Sequence, residues 1–275
     1  MWATLALTAV LGSAPAQTPA RDLKLDNVRE TYGILGQKRP NAKLLPGDVL
    51  YVAFDINNLQ VKDDGRVQYS MGMELLDKDK KSQFKKEPNE LEAVNSLGGS
   101  RIPSFAMARV GTDTPPGEYT MIVTVKDHAA NKTARLEQKF EVLKPQLGFI
   151  GVFITYDGNG TVPAPPVAVP GQTYWVNFSL VGFEMSKDKD PAKQRPDVSV
   201  EMRVVDLADG KPTVAKPSTN HTTEVNPEIK NVLLFFPFPV NLNRAGKFKI
   251  ELKATDNLTK KTVEQTLEFT VLEAK

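Results

Sequence analysis

The chain has 275 residues, contains no cysteine and carries 35 basic against 33 acidic side chains, a formal net charge of +2. This length is enough for two domains that each bury a hydrophobic core. The lack of cysteine excludes disulfides, thiolate catalysis and zinc–cysteine sites. The near balance of charge argues against a nucleic acid or an anionic membrane as partner, because both call for a concentrated basic face.

Residues 1–16 have the pattern of a secretory signal peptide. Trp2–Leu11 is an apolar run too short to cross a bilayer, and Ala14-Pro15-Ala16 has the small residues that suit cleavage before Gln17. The basic residues that usually precede such a run are missing, so the alternative is an apolar N-terminus that stays on the protein. No later apolar stretch is long enough for an integral membrane span. The pattern predicts a secreted, periplasmic or cell-surface protein.

An internal repeat organises the rest of the chain. A shift of 124 residues places Thr31-Tyr32 on Thr155-Tyr156, and beyond the next loop a shift of 129 places Asp127 on Asp256. The second copy therefore carries five extra residues, which we assign to the hydrophilic loop around Lys187–Pro191, since loops tolerate changes in length. A repeat of this kind indicates a duplicated domain.

Two domains are predicted, at 23–143 and 147–272. The linker between them is Lys144-Pro145-Gln146. A linker that is short and contains proline is stiff, so we expect the domains to lie end to end with limited hinge freedom.

The apolar pattern in each copy has a period of two, which is typical of β-strands. Val52, Phe54 and Ile56 alternate with less apolar neighbours, and turn residues such as Pro46-Gly47 and Asp209-Gly210 punctuate the runs. About seven short strands per copy indicate a two-sheet sandwich. The predicted fold class is all-β, with two tandem antiparallel immunoglobulin-like β-sandwiches.

The last hairpin of each copy carries a family resemblance. Gly117-x-Tyr119, the alternating strand to Asp127 and the strand that ends at Val142 resemble the closing hairpin of bacterial immunoglobulin-like and fibronectin type III-like domains. The second copy repeats the pattern from Gly246-x-Phe248 onward. The resemblance implies spacing, adhesion, or protein or glycan binding, which is fold-level information only. The cysteine pair and core tryptophan of antibody domains are absent.

Catalytic and metal-binding patterns are missing from the sequence. It has no G-x-S-x-G, no phosphate-binding glycine loop and no H-E-x-x-H motif. The two histidines, His128 and His221, lie in a turn and a polar loop, and we interpret them as solvated. Acidic pairs such as Asp188 with Asp190 are interleaved with lysine, which opposes calcium binding. Lys78–Lys86 is read as a solvated loop rather than a polyanion site. We predict a protein that is not an enzyme and needs no cofactor or metal.

A comparison of the two copies nominates a partner-binding face. We expect four pairs of equivalent positions to point inward: Val28/Val152, Phe54/Phe178, Phe105/Leu234 and Met107/Phe236. On the outward side the first copy has Arg29, Tyr51, Ser104 and Ala106, whereas the second has Phe153, Trp175, Leu233 and Phe235. The first, second and fifth strands of such a sandwich share one sheet, so these four residues should form one apolar face. Exposed faces of this kind usually mark an interface.

Two functions are consistent with this pattern. One is an exported, non-catalytic module that binds a protein or glycan at the cell surface through the apolar face of its second domain. The alternative is a structural spacer or assembly subunit of the cell envelope with no discrete ligand. The four residues can also be covered internally, by the N-terminal segment, the Pro163–Pro170 loop or the other domain. The sequence leaves the oligomeric state open.

Overall fold

The computed structural model of the protein describes residues 22–190, 193–224 and 233–273. Those residues form seventeen β-strands and no α-helix. The predicted signal peptide, residues 1–16, lies outside the described residues. The strands are β1 (Lys24–Thr31), β2 (Lys43–Leu44), β3 (Val49–Asn57), β4 (Arg66–Asp77), β5 (Ser82–Val94), β6 (Ile102–Arg109), β7 (Gly117–Asp127), β8 (Lys132–Val142), β9 (Gly148–Thr155), β10 (Val167–Ala168), β11 (Thr173–Val181), β12 (Val198–Asp206), β13 (Lys211–Pro212), β14 (Ser218–Thr222), β15 (Leu234–Asn241), β16 (Gly246–Asp256) and β17 (Thr262–Val271).

These strands build two immunoglobulin-like sandwiches, as predicted. In the first sandwich a small sheet has the order β1-β3-β6 and a large sheet the order β2-β8-β7-β4-β5. In the second sandwich the small sheet is β9-β11-β15 and the large sheet β10-β17-β16-β12-β13, with β14 also paired to β12. Neighbouring strands are antiparallel except the two-residue strands β2 and β10, which run parallel to β8 and β17.

Each sandwich encloses its own hydrophobic core. In the first, Val52, Phe54 and Ile56 are almost fully buried, and in the second Val176 and Phe178 are. The predicted inward residues Val28 and Val152 also pack on these cores. Each such side chain contributes about 1.5–3 kcal/mol through burial. With no disulfide available, this packing is the main source of stability.

The two copies share structural details as well as strand order. A β-bulge interrupts the first strand of each at equivalent positions, Asn27 with φ 51° and Gly151 with φ 55°. Asp127 and Asp256 are both buried, and the carboxylate of each accepts backbone N–H bonds in the turn that follows it. The five-residue insertion falls between β11 and β12, where the sequence placed it.

The predicted orientation of β6, which the sequence analysis counts as the fifth strand of the first sandwich, is wrong. Val52 pairs with Ala106, whereas the equivalent Val176 pairs with Phe238, so this strand is offset by 132 residues between the copies and not by 129. An odd change of three residues turns every side chain to the opposite face. Phe105 and Met107 are therefore 37% and 50% exposed, and Ala106 is buried.

A carboxylate fixes the junction between the sandwiches. Asp48 precedes β3 and is only 2% exposed. Its Oδ2 binds Arg39 at 2.9 Å, and its Oδ1 accepts the backbone N–H of Gly151 in the second sandwich, also at 2.9 Å. Gln37 adds a second link, since its side-chain oxygen accepts the backbone N–H of Glu268 at 2.6 Å.

Tyr32 of the first sandwich belongs to the core of the second. Its ring is 7% exposed and lies among the buried residues of the second sandwich. Gln265 donates a hydrogen bond to its hydroxyl at 2.8 Å, and the Arg39 guanidinium lies over its ring. Burial raises the pKa of Tyr32 above its usual value. The second core is thus completed by a residue from its neighbour.

Candidate functional site

The outer face of the β9-β11-β15 sheet carries the four residues that the sequence nominated. Phe153 pairs with Asn177, and Phe235 pairs with Ser179 on the opposite side of β11. Trp175 and Phe153 are half-buried, as is Leu233, which directly precedes β15, whereas Phe235 is 48% exposed. Because Val176 and Phe178 point into the core, the alternate residues of these strands share the outer face.

Phe153 and Trp175 are covered by turns that contain glycine. A Cβ atom on Gly33 of the first sandwich would lie 2.9 Å from the Cβ of Phe153, and one on Gly160 would lie 3.1 Å from its ring. A Cβ on Gly158 would lie 3.2 Å from the Trp175 ring. The covering turns approach this closely because glycine has no side chain. This half of the face therefore has the internal cover that the sequence left as an alternative.

The covering turn 157–162 is ordered by one carboxylate. Asp157 accepts hydrogen bonds from the Thr161 hydroxyl at 2.7 Å, from the Val162 N–H at 2.7 Å and from the Thr161 N–H at 3.0 Å. The Thr161 hydroxyl and, next, the Val162 N–H hold the pKa of Asp157 below its usual value. The turn is thus a fixed cover over the ring of Trp175.

Leu233 lines an open cleft at the domain junction, here called the junction cleft, and Phe235 is exposed two residues further along the chain. It has a volume of about 250 Å³. Its walls come from both sandwiches and the linker: Leu45, Pro46, Gly47, Thr112, Pro145, Gln146, Ile150, Val181, Gly182 and Leu233. Ile150 lines the cleft, and Ser179 on β11 lies between Ile150 on β9 and Phe235 on β15. Most of the lining is apolar, and Thr112 and Gln146 bring the polar side chains.

The first sandwich has an exposed apolar face that the sequence comparison missed. Tyr51 pairs with Met107, and Ala53 with Phe105, on the outer face of its small sheet. Arg109 lies close enough to the Tyr51 hydroxyl to oppose the rise in pKa that burial causes there. The alternation of Ala106 and Ala108 was the available signal, but a period of two is equally satisfied by Phe105 and Met107.

The histidines do not form catalytic sets in the described part of the chain. His128 Nε2 lies 2.9 Å from Glu90, and His221 Nε2 lies 2.9 Å from Asp197. The bond from His221, with a second from Asn257, holds the pKa of Asp197 below its usual value. Ser199 lies opposite His221 in the sheet, but its hydroxyl accepts a bond from Asn257 and does not contact the imidazole.

Acidic groups of the first sandwich act within turns. Asp77 accepts the N–H groups of Asp79 and Lys81 and the side chain of Gln83, and its pKa is lowered, chiefly by the Lys81 N–H. Within 22–190, 193–224 and 233–273 no group of three or more histidine and acidic side chains is placed to hold a metal ion. In the same ranges, no helix has the length and apolar character needed to cross a membrane.

Comparison with known proteins identifies no family. No family model matches the chain, and no curated protein is similar in sequence. Solved structures with a similar arrangement include red sea bream transglutaminase (11% identity, TM-score 0.28, 93% of this chain and 32% of that one). Another is Escherichia coli alpha-2-macroglobulin activated by porcine elastase (13% identity, TM-score 0.31, 94% of this chain and 23% of that one). A third is the C-terminal domain of the Streptococcus agalactiae antigen I/II polypeptide BspA (10% identity, TM-score 0.29, 89% of this chain and 99% of that one). The chain spans a third or less of the first two. Scores this low carry no argument about function.

Proposed function

We propose that this protein is an exported, non-catalytic module, with domains at 23–143 and 147–272, that binds a partner protein through the outer face of its second small sheet. The contact centres on Leu233, which lines the junction cleft, and on the exposed ring of Phe235 close to it in the chain. The observation that carries the proposal is that Leu233 lines, and the exposed Phe235 lies two residues from, a cleft which the Asp48 link and the stiff linker hold in place. An apolar anchor in a preformed pocket is the usual centre of a binding hot spot.

The four nominated residues have different roles in this proposal. Phe235 is 48% exposed and Leu233 lines the cleft, so both contact the partner directly. Trp175 and Phe153 lie under the glycine turns and support the face from behind. Rigid support of this kind lowers the entropic cost of binding, because the contact surface is already ordered.

The chemistry of the cleft favours a protein over a glycan. A sugar requires several directed hydrogen bonds, and the cleft offers the side chains of Thr112 and Gln146 among mainly apolar walls. The Trp175 ring is not free to stack on a sugar, because Gly158 lies against it. A leucine, methionine or phenylalanine side chain of a partner matches the volume and polarity of the cleft.

The absence of cysteine allows a direct test. Ser179→Cys introduces a single thiol beside Phe235 and leaves Phe235 and Leu233 in place, and the thiol can carry a photo-crosslinker into a preparation of the native envelope or secreted proteins. We expect one discrete crosslinked product, which unlabelled wild-type protein prevents and the variant Leu233→Ser with Phe235→Ser does not.

Two matched positions serve as controls. Leu97 is fully exposed in a loop, so Leu97→Cys reports non-specific contact. Phe105→Cys reports the exposed face of the first sandwich. The same product from Leu97→Cys, or a specific product from Phe105→Cys alone, contradicts the proposed site. All variants should melt at the wild-type temperature, because these side chains contribute little to the cores.

The junction favours a second candidate function, a rigid spacer. Three hydrogen bonds hold the two sandwiches in one orientation. They join Asp48 with Gly151, Gln37 with Glu268, and Tyr32 with Gln265. A spacer needs this rigidity and no ligand. NMR relaxation distinguishes a rigid pair, which tumbles as one body, from a flexible one. A rigid pair with no crosslinked product from Ser179→Cys favours the spacer.

A further inference from the structure

The end of the second sandwich that lies away from the first carries a group of exposed apolar side chains, here called the distal patch. It consists of Tyr156, Val162, Val167, Val169 and Leu272, which are between 38% and 50% exposed. Backbone hydrogen bonds link the members in two sets. The N–H of Tyr156 donates to the carbonyl of Val162, and the N–H of Leu272 donates to that of Ala168, between Val167 and Val169.

The same positions of the first sandwich form the domain junction. The N–H of Tyr32 donates to the carbonyl of Gln37 just as that of Tyr156 donates to Val162, and the N–H of Leu143 donates to Leu44. Tyr156, Val169 and Leu272 are therefore the counterparts of Tyr32, Leu45 and Leu143. The last three lie together at the junction, where Tyr32 is 7% and Leu45 8% exposed. One copy thus shows this surface covered and the other shows it open.

The distal patch is more apolar than its counterpart. Val162 stands where Gln37 contacts Glu268, and Val167 stands where the first sandwich has Lys43. At the position of Arg39 is the buried Ala164, and at that of Asp48 is Gln172. Hydrocarbon thus replaces Gln37 and Arg39, while Gln172 keeps a polar side chain at the position of Asp48, so a partner docked here is held mainly by apolar contact. An exposed patch of this composition usually marks an interface.

The junction also defines what kind of surface fits. Leu45 occupies the space that a side chain on Gly148 would need, and Ile150 and Phe153 complete the receiving face. The equivalent residues of the first sandwich are Lys24, Asp26 and Arg29, which offer a bulky and charged surface instead. A second copy of this chain therefore cannot receive the distal patch in the geometry of the junction.

We propose that the distal patch is a docking surface for an immunoglobulin-like sandwich of another protein, in the arrangement that the first sandwich adopts on the second. The partner presents a strand that begins with glycine and continues with apolar outward residues, as β9 does. This surface lies at the opposite end of the second sandwich from the junction cleft and is independent of the binding proposed there.

A chain with a third sandwich tests the fit. A second copy of residues 144–275 is fused after Leu272, which reproduces the natural linker and supplies a free receiving face. We expect the new unit to dock, so that hydroxyl-radical labelling of the original Tyr156 falls about fivefold, in line with the 38% exposure of Tyr156 and the 7% of Tyr32. The added copy carries Tyr156→Phe, so that only the original tyrosine is measured. In the matched control, Gly148→Lys in the added copy copies Lys24 and should restore the labelling. Val169→Asp in the original copy should do the same.

Each outcome is decisive when circular dichroism shows that all three sandwiches are folded. Unchanged labelling of Tyr156 in the fused chain overturns the proposal. The unfused chain is also followed by sedimentation over a range of concentrations. We expect no self-association through the distal patch. A dimer that Tyr156→Ser dissociates would show that a second copy covers the patch, and would overturn the assignment to another protein.

Discussion

Asp48 Oδ1 accepts the backbone N–H of Gly151 at 2.9 Å, and this bond joins the two halves of the molecule. The same oxygen accepts the N–H of Val49 at 2.8 Å, while Oδ2 binds Arg39. The side chains of Asp48 and Arg39 are 3% and 11% exposed, so each charge is stabilised by the other and not by water.

Replacement of Asp48 is therefore costly. We expect Asp48→Ala to lower the free energy of unfolding by about 3–5 kcal/mol, because it leaves the buried guanidinium of Arg39 without its counter-charge. Asp48→Asn keeps an oxygen for Gly151 and should cost less. Urea denaturation measures both. Equal stability of the wild type and Asp48→Ala would show that the pair contributes nothing to the fold.

Tyr32 gives a second prediction about the junction. Tyr32→Phe removes the hydroxyl that accepts from Gln265 and should cost about 0.5–1.5 kcal/mol. Tyr32→Ala removes the ring from the second core and should cost about 3–5 kcal/mol. Calorimetry should then show the second sandwich melting earlier than the first. A loss of stability confined to the first sandwich would contradict the assignment of Tyr32 to the second core.

Gly33 and Gly98 form a matched pair for the cover over Phe153. Both have a left-handed backbone, with φ 78° and 77°, but a Cβ on Gly33 would meet Phe153 whereas Gly98 has open space around it. Gly98→Ala should cost about 1–2 kcal/mol from backbone strain alone. Gly33→Ala should cost clearly more, because the steric contact adds to that strain. Chemical denaturation measures the free energy of unfolding of each variant. Equal losses would show that Phe153 moves away from the new methyl group at no cost.

Alkaline pH should destabilise the protein through Tyr174. Its side chain is fully buried, its hydroxyl donates to the carbonyl of Pro165 at 2.6 Å, and burial raises its pKa well above the usual value of about 10. The unfolded chain releases this proton at about pH 10 and the folded protein retains it, so stability is present below pH 10 and falls above it. Absorbance at 295 nm should show Tyr174 ionising together with unfolding. Tyr174→Phe should lessen the loss, and ionisation before unfolding would contradict the argument.

The fold followed from the sequence because two signals agree over most of the chain. The period-two runs around Val52 and Val176 define buried strands, and the repeat places β1 on β9 and β7 on β16. The predicted orientation of β6 was wrong because a local offset of three residues preserves the alternation of the sequence but reverses which side chains face the core. Phe105 and Ala106 are equally compatible with alternation, and only the pairing with β3 decides between them.

The candidate site was accessible to sequence reasoning only in part. Strand alternation brought Phe153, Trp175, Leu233 and Phe235 to one face, because strand membership and phase are local properties. Their cover was not accessible, since it depends on turns far along the chain that approach through glycine. The junction cleft arises from the relative position of two folded units, which no local pattern encodes.

Because Tyr32 contributes to the second core, the order of the two copies matters for the structure. During synthesis the N-terminal unit emerges and folds first, so the tyrosine is in place when the later half collapses around it. A gene in which the halves were exchanged would bring Tyr156 against Leu136, the counterpart of Gln265, and its hydroxyl would find hydrocarbon instead of an amide donor. Each half thus carries side chains that suit its own place in the chain.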